Sequence, residues 1–394
     1  MSQAATSLTN LLVSLAVAAL LGPSEFGLYS LAFAALLLAT ALQTGWVGDT
    51  LTVLGERVQV AARWWQHVVT AAAASIIFPV AILLGMNRAE GLALSCLTVV
   101  WLYEEYGRRR LMAALRFGSQ GVNDLIYGTV TGVAVAGLHG TNKLSVTTVL
   151  LAMAAGGCAA VLHAQLLLPR KTRIWSSFGE LAFRAEVFRY GVWRSAQAGL
   201  GSAQTLAVRY ATAAGVSLSA LGSLELARLV AAPLMTALAG FASVLLTTTS
   251  AEEHLGRRRH RSGRLTALLT VPTAVYTALV LWQFDAIAKV VGDGYQPDRW
   301  SLAGWLLVAL IIGLTQTVSV RALIELPSRT TFVLRTWGTV IGTVTATACA
   351  LGGLVAGVPF GLAAGTVIAG LLLHRRLRRG AKDQEAPRRS GTSR

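Results

Sequence analysis

The chain has 394 residues, of which 54% are hydrophobic and only 13% charged, and its mean hydropathy is +0.59. Soluble domains carry about 25% charged residues. The composition therefore excludes an ordinary soluble protein and indicates a membrane protein. A net charge of +16 suggests a nucleic-acid-binding protein at first, but the positions of the basic residues give another explanation.

A transmembrane helix needs about 20 largely apolar residues, and twelve stretches of the sequence approach or meet this length. They are residues 6–22, 26–47, 64–85, 90–107, 120–138, 146–168, 191–214, 222–249, 264–284, 300–323, 330–352 and 356–374. We predict an all-α, polytopic membrane protein with these twelve transmembrane helices. The first run is interpreted as a helix and not as a cleaved signal peptide, because no basic residue precedes Arg57.

The first two runs meet at a Gly22-Pro23 corner in LLGPSEFGLYSLAFAALLLATALQTGWVG, residues 20–48. Small residues recur along the second run, and small side chains let membrane helices pack closely. We therefore predict that this run is buried in the protein. A similar string, SLSALGSLELARL, begins at Ser217 and aligns Gly222 with Gly27. This echo indicates two related halves of one bundle.

The predicted halves are an N-lobe at residues 1–169, with helices one to six, and a C-lobe at residues 191–374, with helices seven to twelve. Between them, residues 170–190 alternate charged and apolar side chains at near-helical spacing. This pattern predicts an amphipathic linker lying on the cytoplasmic face of the membrane. The polar residues 375–394 are predicted to form a disordered basic tail.

The basic residues concentrate on one side of the predicted topology. With both termini in the cytoplasm, 28 of the 34 Lys and Arg fall in cytoplasmic segments. The positive-inside rule explains this excess without nucleic acid, and the basic loops would contact anionic lipid headgroups. Trp64 and Trp65 begin the third run and are predicted to lie at the membrane interface.

Three ionisable residues lie inside the predicted spans of helices seven and eight: Arg209, Glu225 and Arg228. An arginine at the bilayer centre costs about 2.5–3.5 kcal/mol on insertion scales, so it needs a partner or a cavity. Glu225 and Arg228 are three residues apart on one helical face and can pair. Snorkelling toward the outer headgroups is the competing interpretation, because all three lie near the outer end.

Two polar groups occur near the ends of helices four and five. Asn123 and Asp124 open the fifth run, where they are predicted to cap the helix; facing a water-filled cavity is the alternative. Glu104 and Glu105 precede three arginines and are predicted to form a solvated, mutually screened cluster at the cytoplasmic end. A proton relay is the alternative for these two carboxylates.

The sequence contains no phosphate-binding glycine loop, zincin helix, nucleophile elbow or dinucleotide fingerprint. Its six histidines are scattered singly, and its three cysteines lack metal-ligand spacing. We therefore expect no catalytic residues, no metal site and no cofactor. The outer loops are also too short to carry the active site of a membrane glycosyltransferase, so the sequence predicts a protein that is not an enzyme.

Four stretches resemble a known family. LLGPSEFGLYSLAFAALLLATALQTG is similar to the helix one–two signature of bacterial polysaccharide and oligosaccharide flippases, which include O-antigen flippases. They belong to the multidrug/oligosaccharidyl-lipid/polysaccharide exporter superfamily. SALGSLELARLVAAPL resembles the start of the family's helix eight, VVGDGYQP the turn before helix ten, and GVPFGLAAGTVIAG the turn into helix twelve.

The resemblance implies two six-helix lobes in a V around a central cavity. It also implies alternating access that moves an undecaprenyl-pyrophosphate-linked oligosaccharide from the inner to the outer leaflet of the bacterial cytoplasmic membrane. Arg209 and Arg228 would then face the cavity and bind the pyrophosphate, with Glu225 orienting Arg228. Asp124 and Asn123 are further cavity candidates.

The partners implied are the lipid-linked glycan, membrane lipids, and the glycan polymerase and glycosyltransferases of its pathway; we expect a monomer.

Two positions depart from the family's pattern: Ala19 stands where an arginine is frequent, and Val208 where an aspartate often precedes the helix-seven arginine. Two alternatives therefore stay open. One is a multidrug exporter of the same superfamily, which needs a buried carboxylate that the helix centres do not offer. The other is a non-transporting scaffold of a glycan-assembly complex.

Overall fold

The computed structural model describes residues 2–54, 58–114, 116–169, 173–175, 183–254, 262–286, 295 and 298–390, and in these residues all regular structure is helical. The helices are α1 (Ser2–Gln43), a π-helical turn (Thr44–Gly48), α2 (Asp49–Leu54), α3 (Gln59–Leu83), α4 (Arg88–Ala113), α5 (Phe117–Gly140), α6 (Val146–Leu167), α7 (Arg184–Gly215), α8 (Leu218–His254), α9 (Ser262–Trp282), α10 (Arg299–Glu325), α11 (Ser328–Leu351) and α12 (Gly357–Ser390).

Each of the twelve predicted runs falls on one of these helices, so the predicted all-α fold class is confirmed. Six helical stretches are long and apolar enough to cross a membrane by length and composition. They are Leu8–Leu51, Gln59–Leu83, Val146–Leu167, Leu218–Ala242, Arg299–Glu325 and Gly357–Arg379. The five remaining runs lie on α4, α5, α7, α9 and α11. Of these, α4 carries three buried charged residues (Glu104, Glu105 and Arg108) and α7 carries one among those described (Arg209), and charged residues lower the hydropathy of a helix.

The corner predicted at Gly22 and Pro23 is a break inside α1. Gly22 has a φ of +82°, a conformation that glycine adopts without the steric penalty of a Cβ atom. Pro23 adds to the break because it lacks a backbone N–H. The helix after the break is buried from Phe26 to Ala32. The prediction that this run packs inside the protein is therefore confirmed.

The chain divides into two compact units, which we call the first unit (Met1–Ala213) and the second unit (Ala214–Arg394). Helix α7 thus belongs to the first unit almost entirely, although the sequence predicted it as the first helix of a C-lobe. Residues 184–190 of the predicted linker are the first turns of α7, and most of the rest of that linker lies outside the described residues. The division into two six-helix lobes stays a prediction, because compactness alone does not assign a helix to a moving lobe.

Helix α7 contacts the end of α1 and the turn after it through glycine. A Cβ atom on Gly45 would lie 2.6 Å from the backbone of Arg194, so only glycine fits there. A Cβ atom on Gly191 would lie 2.8 Å from the ring of Trp46, and one on Gly199 would lie 2.8 Å from the side chain of Leu42. These contacts bring the backbones of the two segments together.

The second unit is packed mainly by aliphatic and small residues. Buried leucines of α8 and α9, Leu238 and Leu269, contact Ala309 and Val320 of α10. Between α11 and α12, a Cβ atom on Gly365 would lie 2.5 Å from the carbonyl oxygen of Gly338. Close packing between these helices therefore depends on glycine on both surfaces.

The predicted disordered tail is wrong over most of its length, because α12 continues as far as Ser390. The residues after His374 are rich in Arg, Leu, Ala, Lys, Gln and Glu, which are good helix formers. Extending an existing helix also needs no new nucleation. Residues 391–394 lie outside the described part of the chain.

Candidate functional site

The predicted pair of Glu225 and Arg228 is present on α8. Arg228 Nε donates a hydrogen bond to Glu225 Oε2 at 2.6 Å, as the spacing of three residues allows. The Glu225 side chain is only 2% exposed, whereas the Arg228 side chain is 27% exposed. Among the described residues, no other hydrogen bond or ion pair of Arg228 occurs. The buried carboxylate therefore holds the guanidinium by one edge.

Arg209 lies in a different environment, although it too was predicted to line a cavity. It is 4% exposed and donates from Nη1 to the backbone carbonyl of Ser30 at 2.9 Å. Its guanidinium is thus enclosed by protein. Glu225 and Arg228 belong to the second unit, whereas Arg209 belongs to the first.

Nearer the start of α7, a second arginine links this helix to the segment after α1. Arg194 Nη2 lies 2.7 Å from Asp49 Oδ2. Ser195 Oγ donates to the carbonyl of Leu42 at 2.8 Å. Charge-assisted and side-chain–backbone hydrogen bonds therefore accompany the glycine contacts between α7 and the end of α1.

The helix-capping interpretation of Asn123 and Asp124 is wrong. Helix α5 begins at Phe117, so both residues lie in its interior, and both are buried. Asn123 Oδ1 lies 3.1 Å from His163 Nδ1, and its amide nitrogen donates to Glu104 Oε1 at 3.4 Å. The polar end of α5 is therefore placed against α4 and α6 inside the first unit.

The carboxylates of α4 are also buried, which corrects the prediction of a solvated cluster. Glu104 is 3% exposed and Glu105 is buried beside it. Glu105 is paired with Arg108 and accepts a hydrogen bond from Arg109 Nε at 2.7 Å. Mutual pairing was predicted correctly, since the i,i+4 spacing of opposite charges was visible in the sequence. The burial of these carboxylates was not predicted, because it depends on the packing of α5 and α6 against α4.

Sequence reasoning missed a buried amide ladder in the first unit. Gln43 Nε2 donates to Gln66 Oε1 at 2.7 Å, and Gln66 Nε2 donates to the carbonyl of Leu102 at 3.0 Å. Both glutamines are fully buried. The available signal was an isolated glutamine in each of two apolar runs, since polar side chains in membrane helices commonly hydrogen-bond across helices.

Chemically, the described side chains form ion pairs and hydrogen-bonded networks without a metal-binding arrangement. No group of three or more His, Cys, Asp or Glu in the described part of the chain could hold a metal ion. The features with binding potential are therefore the guanidinium held by Glu225 and the buried carboxylates of the first unit.

No protein-family model matches the sequence, and no curated protein matches it. Solved structures do match. One is described as the inward-facing conformation of a multidrug resistance MATE family transporter of the MOP superfamily, with a TM-score of 0.74, 13% identity, and coverage of 97% of this chain and 96% of the other. Another is described as the lipid II flippase MurJ in an inward closed conformation, with a TM-score of 0.77, 12% identity, and coverage of 96% and 86%.

The chain has the fold of these transporters. An outward-facing MATE family transporter also matches, with a TM-score of 0.69, 13% identity, and coverage of 97% and 94%. Identities this low show the fold alone, and this fold agrees with the predicted all-α polytopic architecture. The apolar helices and this fold together make the chain a multi-pass membrane protein.

Proposed function

We propose that the protein is a flippase that moves a lipid-linked oligosaccharide with a pyrophosphate linkage across the cytoplasmic membrane by alternating access. The observation that carries the proposal is the Glu225–Arg228 pair in α8. One of the matching structures is described as a lipid II flippase, which supports a lipid-linked substrate for this fold.

The geometry of the pair suits a phosphate ligand. Glu225 accepts from Nε, and neither terminal nitrogen of Arg228 makes a hydrogen bond to another described residue, so the edge formed by these two nitrogens is left for a ligand. A planar guanidinium binds two phosphate oxygens through parallel N–H groups, and such bonds are stronger than neutral ones. Glu225 would act as the positioning residue, because its own negative charge repels a pyrophosphate.

The orientation of the chain in the membrane is the second part of this proposal. We propose that both termini are cytoplasmic, since the basic residues then concentrate on the cytoplasmic side. A reporter inserted after Thr141, between α5 and α6, should be outside. One inserted after Pro327, between α10 and α11, should be inside. Finding the two reporters on the same side would contradict this threading.

A second candidate function is supported by the buried carboxylates of the first unit. The sequence offered no buried carboxylate in a helix centre, yet Asp124 is 1% exposed and Glu104 is enclosed beside it. A multidrug exporter coupled to a cation gradient needs such a group. The matching MATE family structures share this fold, so an exporter of small molecules is the alternative.

Purified protein reconstituted in proteoliposomes separates the two functions. The probes are fluorescent lipid II, as a lipid-linked glycan with a pyrophosphate, and ethidium, as a cationic drug. We expect flipping of lipid II, a loss of at least about tenfold in Arg228→Gln, and no change in Arg321→Gln, which alters a solvent-exposed pair. Ethidium transport driven by an ion gradient, without lipid flipping, would favour the exporter. Neither activity, together with loss of surface glycan on gene deletion, would favour the scaffold.

A further inference from the structure

A pocket of about 640 Å³ lies where α3 and α7 begin, apart from the pair on α8. It is lined by Trp64, Trp65, Arg184, Ala185, Phe188 and Arg189. All of these residues belong to the first unit. Nothing in the proposed transport step uses this pocket.

Aromatic rings form one wall of the pocket. The rings of Trp64 and Trp65 are 4.9 Å apart and edge-to-face, and those of Trp65 and Phe188 are 5.4 Å apart. Trp46 supports this wall from behind, 5.3 Å from Trp65. The Trp65 indole N–H donates to the carbonyl of Arg184 at 3.1 Å, which ties the wall to α7. The wall is therefore built by contacts between elements far apart in sequence.

Two arginines supply the charge of the pocket. The Arg184 guanidinium lies 5.3 Å from the centre of the Trp64 ring, in a cation–π contact. Arg189 is exposed five residues further along α7. Among the described residues that line the pocket there is no carboxylate, although Glu186 lies on the same helix. The pocket therefore favours an anion.

The position of the pocket indicates a membrane-interface ligand. It lies at the starting ends of two long helices, where tryptophan commonly sits at the level of lipid headgroups. Phe188 and the neighbouring Trp193 are exposed large apolar side chains on the same stretch of α7. An anionic group above such an apolar surface has the chemistry of a phospholipid.

We propose that this pocket binds the headgroup of an anionic phospholipid. The phosphate diester would lie between Arg184 and Arg189, with the first part of an acyl chain against Phe188 and the tryptophans. A bound lipid would connect the beginnings of α3 and α7 in addition to their direct contacts. This inference does not depend on the proposed substrate of the transporter.

A zwitterionic choline headgroup fits less well. Aromatic rings can surround a quaternary ammonium, but the face of Trp64 is already taken by Arg184. Two guanidinium groups would also repel a second cation. Phosphatidylglycerol, with a net negative charge and no ammonium, avoids both conflicts.

The test is native mass spectrometry of the full chain in detergent, titrated with phosphatidylglycerol, phosphatidylcholine or free glycerol 3-phosphate. We expect tighter binding of phosphatidylglycerol than of the other two. The double variant Arg184→Gln/Arg189→Gln should weaken the first phosphatidylglycerol site at least tenfold. The control Arg375→Gln/Arg376→Gln removes the same charge from exposed positions on α12 and should change it less than twofold.

Three results would overturn the proposal: equal weakening in both double variants, equal affinity for phosphatidylcholine, or equal affinity for free glycerol 3-phosphate. The first would mean general charge attraction, and the last a soluble-anion site. If the double variant fails to fold, Arg189→Gln alone serves, because this exposed side chain lies at the pocket rim. It should weaken binding about threefold to fivefold, and unchanged binding would also overturn the proposal.

Discussion

The interiors of the two units differ in kind. The described buried charged residues of the first unit are Arg63, Glu104, Glu105, Arg108, Asp124 and Arg209. In the second unit, the one buried charged residue among those described is Glu225. The first unit thus contains desolvated ion pairs and hydrogen bonds in addition to its apolar and glycine packing, whereas the second is packed mainly by aliphatic and small residues. Functions that need buried charge, such as coupling to ions, would fall to the first unit.

The echo between the two units shows the same contrast at a single position. The alignment of Gly27 with Gly222 places Ser30 opposite Glu225. In the first unit, the backbone carbonyl of Ser30 accepts a hydrogen bond from the enclosed Arg209. In the second, the carboxylate of Glu225 holds the partly exposed Arg228. Equivalent positions therefore contact an enclosed arginine in the first unit and a partly exposed arginine in the second.

The largest expected effect is on the buried charges of the first unit. Replacing Arg108 with Met leaves Glu104 and Glu105 buried without this cation. Removing one partner of a buried pair costs about 3–5 kcal/mol, because the remaining charge stays desolvated. Thermal unfolding in detergent should show a large loss of stability.

The control for this variant is in the second unit. Arg321 and Glu325 pair at 2.9 Å but are 44% and 41% exposed, so Arg321→Met should cost no more than about 1 kcal/mol. Equal losses of stability in Arg108→Met and Arg321→Met would show that buried and exposed ion pairs contribute equally, which would contradict the contrast between the two units.

A smaller loss of stability is expected where glycine allows two backbones to approach closely. This loss should be similar in the two units. Gly45→Ala places a methyl 2.6 Å from the backbone of Arg194, and Gly365→Ala places one 2.5 Å from the carbonyl oxygen of Gly338. Overpacking of this kind costs about 1–3 kcal/mol. Melting temperatures of both variants should fall.

Gly132→Ala is the matched control for these substitutions, since nothing lies within 4 Å of its added methyl. It should keep or raise stability by up to about 1 kcal/mol, as alanine is the better helix former. A fall in Gly132→Ala as large as in Gly45→Ala would contradict the packing argument.

The smallest effect is expected at two helix N-termini, one in each unit. Asn87 caps α4 in a reciprocal box with Glu90, and Asp298 caps α10 by accepting from the backbone N–H groups of Trp300 and Ser301. Replacing either residue with Ala should cost about 1 kcal/mol. Similar shifts in melting temperature for the two variants are expected, because a cap does not depend on the interior of its unit.

The helices could be predicted from the sequence because each depends on a local property, the length of an apolar run. The break at Gly22 was likewise visible as a Gly-Pro pair. The Glu225–Arg228 pair followed from spacing on one helix. The sequence was sufficient to predict contacts that form within one turn of a helix.

The burial of polar residues could not be predicted in this way. Asn123 looked like a cap because polar residues begin the apolar run, but its partners are Glu104 and His163, 19 and 40 residues away. The same holds for Arg209, whose partner Ser30 is 179 residues away. Their burial depends on which helices pack together, which spacing along one helix does not reveal.

The central claim is that Arg228, positioned by Glu225, binds the pyrophosphate of a lipid-linked glycan. Its most direct test is the dissociation constant of undecaprenyl pyrophosphate, measured by native mass spectrometry for the full chain, Arg228→Gln and Arg228→Lys. We predict a loss of about tenfold or more in both variants, since a hydrogen bond to a charged group contributes about 1.5–3 kcal/mol and lysine lacks the planar fork. Arg321→Gln should bind like the unaltered chain. Unchanged affinity in Arg228→Gln would contradict the claim.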